Sequence, residues 1–309
     1  MDISFIIVHY NAVALLHNCV RSIMEHTQGV KYEIIVVDNA SSDRSIEQFP
    51  NSFENAPIQL VLLNQNKGFG AGNNAAYKIA KGKYLFLLNP DTLLCSNAAL
   101  QFFKFMEQPD AKITFDKTSL PTQQIAACGA DLIDLAGNSI QAYGNFPTYL
   151  SAIAECGPKF FFLTYFKKHL ALGGANYSKE NKIVDYLSGA ALFIRKTVID
   201  QVGFFDEDFF LYFEETELAY RVKKNGYRMV LLPEVKIIHL EGQVVSNNFQ
   251  GLQQFTWSEQ SRQLFYKKTR GAFFAATMKC LDISQLIIRT LSGKEQGPLL
   301  PKIAIIWKA

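Results

Sequence analysis

An α/β domain built on a mostly parallel central sheet flanked by helices is the fold class this sequence predicts. Three observations carry that reading. Over the first hundred residues, apolar runs of strand length alternate with stretches of helical spacing, as parallel strands joined by right-handed crossovers require. The run 83–88 (KYLFLL) is continuously apolar, as a fully buried strand is. The ends of four such runs carry polar clusters, and in one parallel sheet all four fall on the same edge.

The elements follow in order. Residues 3–8 read as a strand. Residues 12–26 read as a helix, with Val13, Leu16, Val20, Ile23 and Met24 at helical spacing. Strands follow over 33–37 and 58–63, then an Ala-rich helix over 70–80 and the strand 83–88. Pro90 has no N–H for a ladder and stops that strand. Residues 109–183 are less regular, with strand-like pieces at 125–127 and 132–133, a Gly/Tyr/Phe-rich run over 137–149, and the aromatic, basic-ended KFFFLTYFKKHL at 159–170. The pattern then predicts a strand over 186–194, a helix over 214–225 closed by Gly226 as its C′ residue, and short strands over 227–232 and 235–238. Beyond residue 250 the pattern is helical and basic.

A hydrophobic content of 49% with 19% charged residues describes a globular chain with a sizeable core. Cys19, Cys95, Cys128, Cys156 and Cys280 are scattered, odd in number and without a CxxC pair, which points to reduced thiols in a cytosolic setting and against a disulfide framework or structural zinc. The N-terminus opens directly into a strand pattern, so no signal peptide is expected. No stretch reaches the ~18 apolar residues of a spanning helix. Charge is unevenly spread: residues 260–309 carry nine Lys/Arg against Asp282 and Glu295, net +7, and the remainder is net −4.

Chemistry concentrates at the strand ends. The first run ends in His9-Tyr10-Asn11 and the second in Asp38-Asn39-Ala40-Ser41-Ser42-Asp43. The third ends in the Gly/Asn-rich 64–74 (NQNKGFGAGNN) and the fourth in Asn89-Pro90-Asp91. A carboxylate such as Asp91 at that edge can hold a divalent cation, and the cation a diphosphate. Asp91 can equally cap a helix starting near Ser96, and Asp38 or Asp43 can cap a following helix. Backbone N–H groups of the 64–74 loop, which runs into a helix, can face an anion. Small residues at Ser188-Gly189-Ala190-Ala191 permit either close approach of a ligand to the backbone or tight strand–helix packing.

Taken in this order, FIIVHYN (5–11), IIVVDNASSD (34–43), NKGFGAGNN (66–74), LFLLNPDT (85–92) and the block 188–239 resemble the family 2 glycosyltransferases, inverting enzymes with the A-type nucleotide-sugar fold. More narrowly they resemble the rhamnosyl/galactofuranosyltransferase-like branch that builds surface polysaccharide. The resemblance covers residues 3–245. It implies a nucleotide-sugar-binding half over 1–115, an acceptor-binding and catalytic half over 116–245, and a helical basic extension over 246–309.

The resemblance also implies roles. Tyr10 lies against the base, with His9 and Asn11 beside it, and Asp38 accepts from its imide N–H or from the ribose, next to Asn39. Asn66, Gly68, Gly70 and Asn73 contact the nucleotide or diphosphate. Asp91 is the last position of the family's DxD motif, whose first position here is Asn89, leaving one carboxylate for the cation. His239 completes the metal site, with Mg²⁺ or Mn²⁺ as cofactor. Glu215 stands where the family has its general base, with Glu in place of Asp and with Glu214 as competitor. Asp206 orients the acceptor, or else caps or makes a turn. Gly189 lies close to the donor. The partners implied are a UDP- or dTDP-sugar donor and a glycan acceptor carried on lipid; no nucleic acid is expected.

Residues 271–291 have broad helical apolar spacing interrupted by Lys279, Asp282 and Arg289. That suits a helix on an anionic membrane surface, at the inner face of the cell membrane, or one packed on the domain or on a partner subunit in a homodimer. Two other functions fit the residues: a nucleotidyltransferase, for which only Lys67 stands in the Gly-rich loop, and a non-catalytic glycan- or nucleotide-binding protein.

Overall fold

The computed structural model describes residues 1–43, 46, 47, 49, 53, 56–108, 112–115, 118–156, 180–240, 251–293 and 297–309. The run 159–170 lies outside the described residues. The first half contains β1 (Ile3–His9), α1 (Val13–His26), β2 (Tyr32–Asp38), β3 (Ile58–Leu62), α2 (Phe69–Tyr77), β4 (Tyr84–Leu88), β5 (Thr92–Leu94) and α3 (Ala98–Met106). Then come the hairpin β6 (Lys112–Phe115) and β7 (Thr118–Pro121), β8 (Ile125–Ile133), β9 (Tyr143–Gly144) and α4 (Tyr149–Cys156). The second half contains β10 (Lys182–Val184), β11 (Tyr186–Leu187), β12 (Ala191–Arg195), α5 (Lys196–Val202), α6 (Glu214–Lys224) and β13 (Arg228–His239). Helices α7 (Gly251–Arg270), α8 (Ala272–Leu291) and α9 (Leu299–Lys308) follow.

The central sheet runs β10-β13-β8-β12-β4-β1-β2-β3, with β5 added on β13. Strands β3, β2, β1 and β4 are parallel, as the alternation predicts. Strand β12 then inserts antiparallel between β4 and β8, while β8 and β13 are parallel to each other. The expected single strand over 186–194 is two strands in two sheets. β11 pairs with β9, the chain turns at Ser188–Ala190, and β12 enters the central sheet.

Two expected breaks are absent. Residues 125–127 and 132–133 belong to one buried strand, β8. The pieces 227–232 and 235–238 form one twelve-residue strand. Pro233 does not end it, because the register shifts between Leu232 and Lys236 and the missing N–H falls in that irregularity. This long strand pairs Ile237, Ile238 and His239 with Leu94, Leu93 and Thr92 of β5, a short strand without a sequence signal of its own.

The core is aromatic around β4 and β12. The ring of Tyr84 stacks on Phe193 at 4.9 Å between centroids, and Phe86 meets Phe102 and Phe193 edge-on at 5.5 Å. Helix α1 buries Leu16, Cys19, Val20 and Ile23 under the sheet. Helix α3 starts after Asn97, whose side chain accepts from the N–H of Leu100, so the cap near Ser96 is Asn97 and not Asp91.

The basic C-terminal segment packs on the domain. Helix α8 buries Phe274, Met278, Asp282 and Leu286, a stripe of every fourth residue. Several cations of α7 have internal partners. Lys268 pairs with Asp206 and Asp208, Arg262 with Glu259 and Asp282, and Arg270 lies over the rings of Tyr220 and Phe274. Phe273, Leu291, Leu300 and Trp307 are exposed on α8 and α9. Among the described residues, no helix is long and apolar enough to cross a membrane.

Candidate active site

The four polar strand ends do meet along one edge. At the end of β1, His9 is buried, and its Nδ1 accepts the Ala12 N–H at 3.3 Å while Nε2 lies 3.0 Å from Asp38 Oδ1. That geometry fixes the Nε2–H tautomer, with the proton donated to Asp38. Burial lowers the His9 pKa, and Asp38 opposes this only in part. Asp38 also accepts from the Ser41 N–H, so it closes a turn rather than capping a helix. Asn11 and Ala40 both adopt positive φ, and Asn11 bonds to Ser41 and Ser42, holding the ends of β1 and β2 together. Tyr10 is half-buried beside them.

Asparagines shape the Gly-rich loop. Asn39 Nδ2 donates to Asn66 Oδ1 at 2.9 Å and to the Gly68 carbonyl at 3.0 Å, and Asn66 Oδ1 also accepts the Gly68 N–H. Asn73 donates to the Phe69 carbonyl. The glycines meet protein: a Cβ at Gly68, where φ is +90°, collides with the Phe210 carbonyl, and one at Gly72 would lie 2.6 Å from Val8. The Phe69 N–H donates to that same carbonyl at 3.1 Å. Close packing against the 205–210 segment at Gly68 and Gly70, and against β1 at Gly72, thus accounts for glycine here.

Asp91 is a central residue of the turn that leaves β4. The Thr92 N–H and hydroxyl both donate to the Asn89 carbonyl, with Pro90 and Asp91 between. Asp91 is 3% exposed, and its Oδ1 has no hydrogen-bond partner. His239 Nε2 lies 3.4 Å from that oxygen, brought there by the pairing of β13 with β5 and by the Leu240 N–H donating to the Asp91 carbonyl. A buried carboxylate oxygen without a donor, facing an imidazole nitrogen, fits a divalent cation as a two-ligand protein set. No group of three His/Cys/Asp/Glu side chains with metal-site spacing occurs among the described residues.

The acidic pair opens α6. Tyr212 and Phe213 both have positive φ, +70° and +65°. Two bulky residues in the left-handed region cost roughly 1–3 kcal/mol each. The turn they make sets Glu214 and Glu215 in the first turn of the helix. Glu214 is 5% exposed, and its Oε2 has no partner. Burial, with Glu215 beside it, drives its pKa well above the usual carboxylate range. Glu215 is half-buried; burial pushes it up to about 7, opposed by the backbone N–H groups of Glu215 and Thr216. Gly189 faces it: a Cβ there would lie 3.8 Å from Glu215 and 3.5 Å from Phe69, in ordinary contact. Since the Asn89 N–H donates to the Ala190 carbonyl at 2.9 Å, the Gly189 turn bridges the Asp91 side of the site to Glu215.

Asp206 makes a turn, accepting the Asp208 N–H at 3.1 Å, and pairs with Lys268 of α7. Sequence reasoning missed three positioning groups. Asn74 exchanges hydrogen bonds with the Phe205 backbone, tying α2 to the acidic loop. Arg221 grips Glu217 with two nitrogens and donates to the carbonyls of Val202, Gly203 and Phe204. The strained Tyr212-Phe213 turn is the third; two consecutive aromatic residues give no sign of positive φ.

The raised Glu214 carboxyl has a stability consequence. The folded chain holds this proton to higher pH than the unfolded chain, whose carboxyl titrates near 4.5. The stabilisation is complete below that value and is lost as pH rises toward the folded value. Glu214→Gln is therefore expected to unfold at higher temperature than the parent at pH 8, with the difference closing toward pH 4, in thermal scans followed by circular dichroism. A variant less stable than the parent at pH 8 contradicts this.

Residues 4–127 match the family model described as Glycosyl transferase family 2. Over 121 residues the chain is 35% identical to the poly(ribitol-phosphate) beta-glucosyltransferase of Bacillus spizizenii, which covers 38% of this chain and only 19% of that protein. The mannosyltransferase of Pyrobaculum calidifontis, solved in complex with GDP-Man and Mn²⁺, superposes with a TM-score of 0.57 at 14% identity over 99% of this chain and 79% of that one. Residues 1–349 of S. aureus TarS, solved with UDP-GlcNAc, give the same values. At that identity the two structures establish the fold alone, which is the mostly parallel A-type sheet with flanking helices. The family model thus matches the segment 4–127 that carries the first four strand ends, and over that segment the chain is similar to the family 2 glycosyltransferases.

Proposed function

We propose that this chain is an inverting, metal-dependent glycosyltransferase, taking a sugar from a UDP- or dTDP-activated donor to a hydroxyl of a glycan acceptor. The observation that carries this reading is the pairing, across the Gly189 turn, of two unlike carboxylates. Asp91 has a buried oxygen without a donor and an imidazole beside it. Glu215 has a pKa raised to about 7. The first suits a cation and the second a base, and displacement at an anomeric carbon needs both. Support also comes from the similar folds solved with GDP-Man and Mn²⁺ and with UDP-GlcNAc.

Each group has a task in this reading. Asp91 and His239 would hold Mg²⁺ or Mn²⁺, leaving the remaining coordination to oxygens of the donor and to water. When bound, the cation offsets the charge that develops on the departing diphosphate. Asp38, oriented by the neutral His9, accepts from the nucleoside, while Tyr10 packs against its base. Glu215 takes the proton of the acceptor hydroxyl as that oxygen attacks opposite the diphosphate, so the anomeric centre inverts. A base near 7 is ionised in a large fraction of molecules at neutral pH and still accepts a proton effectively. Glu214 is too deeply buried and too readily protonated for that task.

Two measurements test this. Calorimetric titration with UDP and dTDP, with and without Mn²⁺, should show binding that depends on the cation in the parent and loses that dependence in Asp91→Ala. Equal affinity with and without cation in the parent removes the metal from the mechanism. Glu215→Gln should lower the rate of nucleotide release from a panel of sugar nucleotides, assayed with glycan acceptors, by about 10²–10⁴. A Glu215→Gln variant as active as the parent assigns the base elsewhere.

A further inference from the structure

Below the acidic helix lies a cavity of about 470 Å³ that the donor chemistry does not use. It falls in the size range of small-molecule sites. Its walls come from α4, from the start of α6 and from the three C-terminal helices. Phe213, which immediately precedes Glu214, and Tyr186 form the wall shared with the catalytic carboxylates. Tyr186 lines the cavity, and the Glu215 carboxylate is close enough to add to burial in raising its pKa.

The opposite wall carries acidic and basic groups buried inside the extension. Glu259 is 2% exposed; one oxygen pairs with Arg262 at 3.1 Å, and the other, Oε2, has no hydrogen-bond partner. Arg262 also reaches Asp282 at 3.5 Å, and Arg289 adds a second guanidinium to the lining. Burial raises the Glu259 pKa despite Arg262. An unpaired carboxylate oxygen at such depth costs stability unless a donor meets it. Two carboxyl groups, Glu259 and Asp282, stand against two guanidiniums, Arg262 and Arg289. A phosphate would bring only acceptor oxygens and meet Glu259 and Asp282. A polyol brings hydroxyl donors to Glu259, hydroxyl acceptors to the arginines, and a C–H face to the rings of Tyr186, Phe213 and Tyr266.

We infer that this cavity holds an uncharged sugar unit of the acceptor glycan, with a hydroxyl donating to Glu259 Oε2, so that the C-terminal helices select the acceptor next to Glu215. The inference rests on the glycosyltransferase reading above. It assigns the extension a recognition role at the site itself.

The test is binding of the full-length protein, without sugar nucleotide, to an array of neutral oligosaccharides printed beside phosphate-bearing polyol oligomers. The neutral set spans gluco-, galacto-, manno-, rhamno- and N-acetylglucosamine-containing chains. The parent should retain at least one neutral glycan. Glu259→Ala, which removes the acceptor, and Gln285→Trp, which fills the cavity from α8, should each weaken that binding by about tenfold or more. Thermal scans identify a variant that fails to fold, and Gln285→Trp carries the test if Glu259→Ala does. A parent that binds no neutral glycan, or only phosphate-bearing chains, overturns the inference. So does a folded Gln285→Trp that binds as tightly as the parent. Nucleotide release into water, measured on the same samples, reports on the donor reading separately. Glycan binding without release removes the transferase, whereas release without glycan binding removes the cavity's role.

Discussion

Two adjacent carboxylates are taken out of water at the first turn of α6, and much of the surrounding structure is arranged around that cost. Neither draws on a side-chain cation; burial dominates both pKa values, and only backbone N–H groups oppose it. A helix N-terminus is where such groups are best tolerated, because its N–H groups and dipole favour negative charge. The left-handed backbone at Tyr212 and Phe213 puts Glu214 inward and leaves Glu215 half-buried beside the Gly189 turn. Strain of this kind persists only where the surroundings over-determine it. Here Arg221 fastens the preceding segment through three carbonyls, and Gly68 lets the Gly-rich loop press against Phe210.

The sheet brings together residues distant in sequence by mixing strand directions. Parallel β1, β2 and β4 present His9, Asp38 and Asp91 on one edge, while antiparallel β12 turns the chain back at Gly189 from the same side. Strand β13 is long enough to pair with β10 at one end and with β5 at the other, and its last residue, His239, lies opposite Thr92. The approach of His239 to Asp91 thus depends on a strand that runs through Pro233. Charges on the C-terminal helices then close the arrangement from below, where Lys268 holds the Asp206 turn.

The first half was legible in the sequence because local pattern decides it. Buried parallel strands are continuous apolar runs, and their ends were placed within two residues of the observed ones. The second half was less so. The Ser188–Ala190 turn divides a run that periodicity reads as one strand, since its residues are small and apolar enough to pass for strand interior. The Gly-rich loop 64–74 was recognisable by composition, but the packing of Gly68 on Phe210 and of Gly72 on Val8 is something only tertiary structure reveals. The internal use of Lys268, Arg262 and Arg270 was equally invisible, because net charge over fifty residues says nothing about which cations face inward.

The central claim is that burial at the start of α6 turns Glu215 into a base matched to neutral pH. The pH dependence of kcat, at saturating donor, acceptor and Mn²⁺, tests it most directly. The predicted profile rises about tenfold per unit from pH 5 and levels off near the Glu215 value of about 7. A profile already flat above pH 5, as an ordinary carboxylate near 4.5 would give, contradicts it.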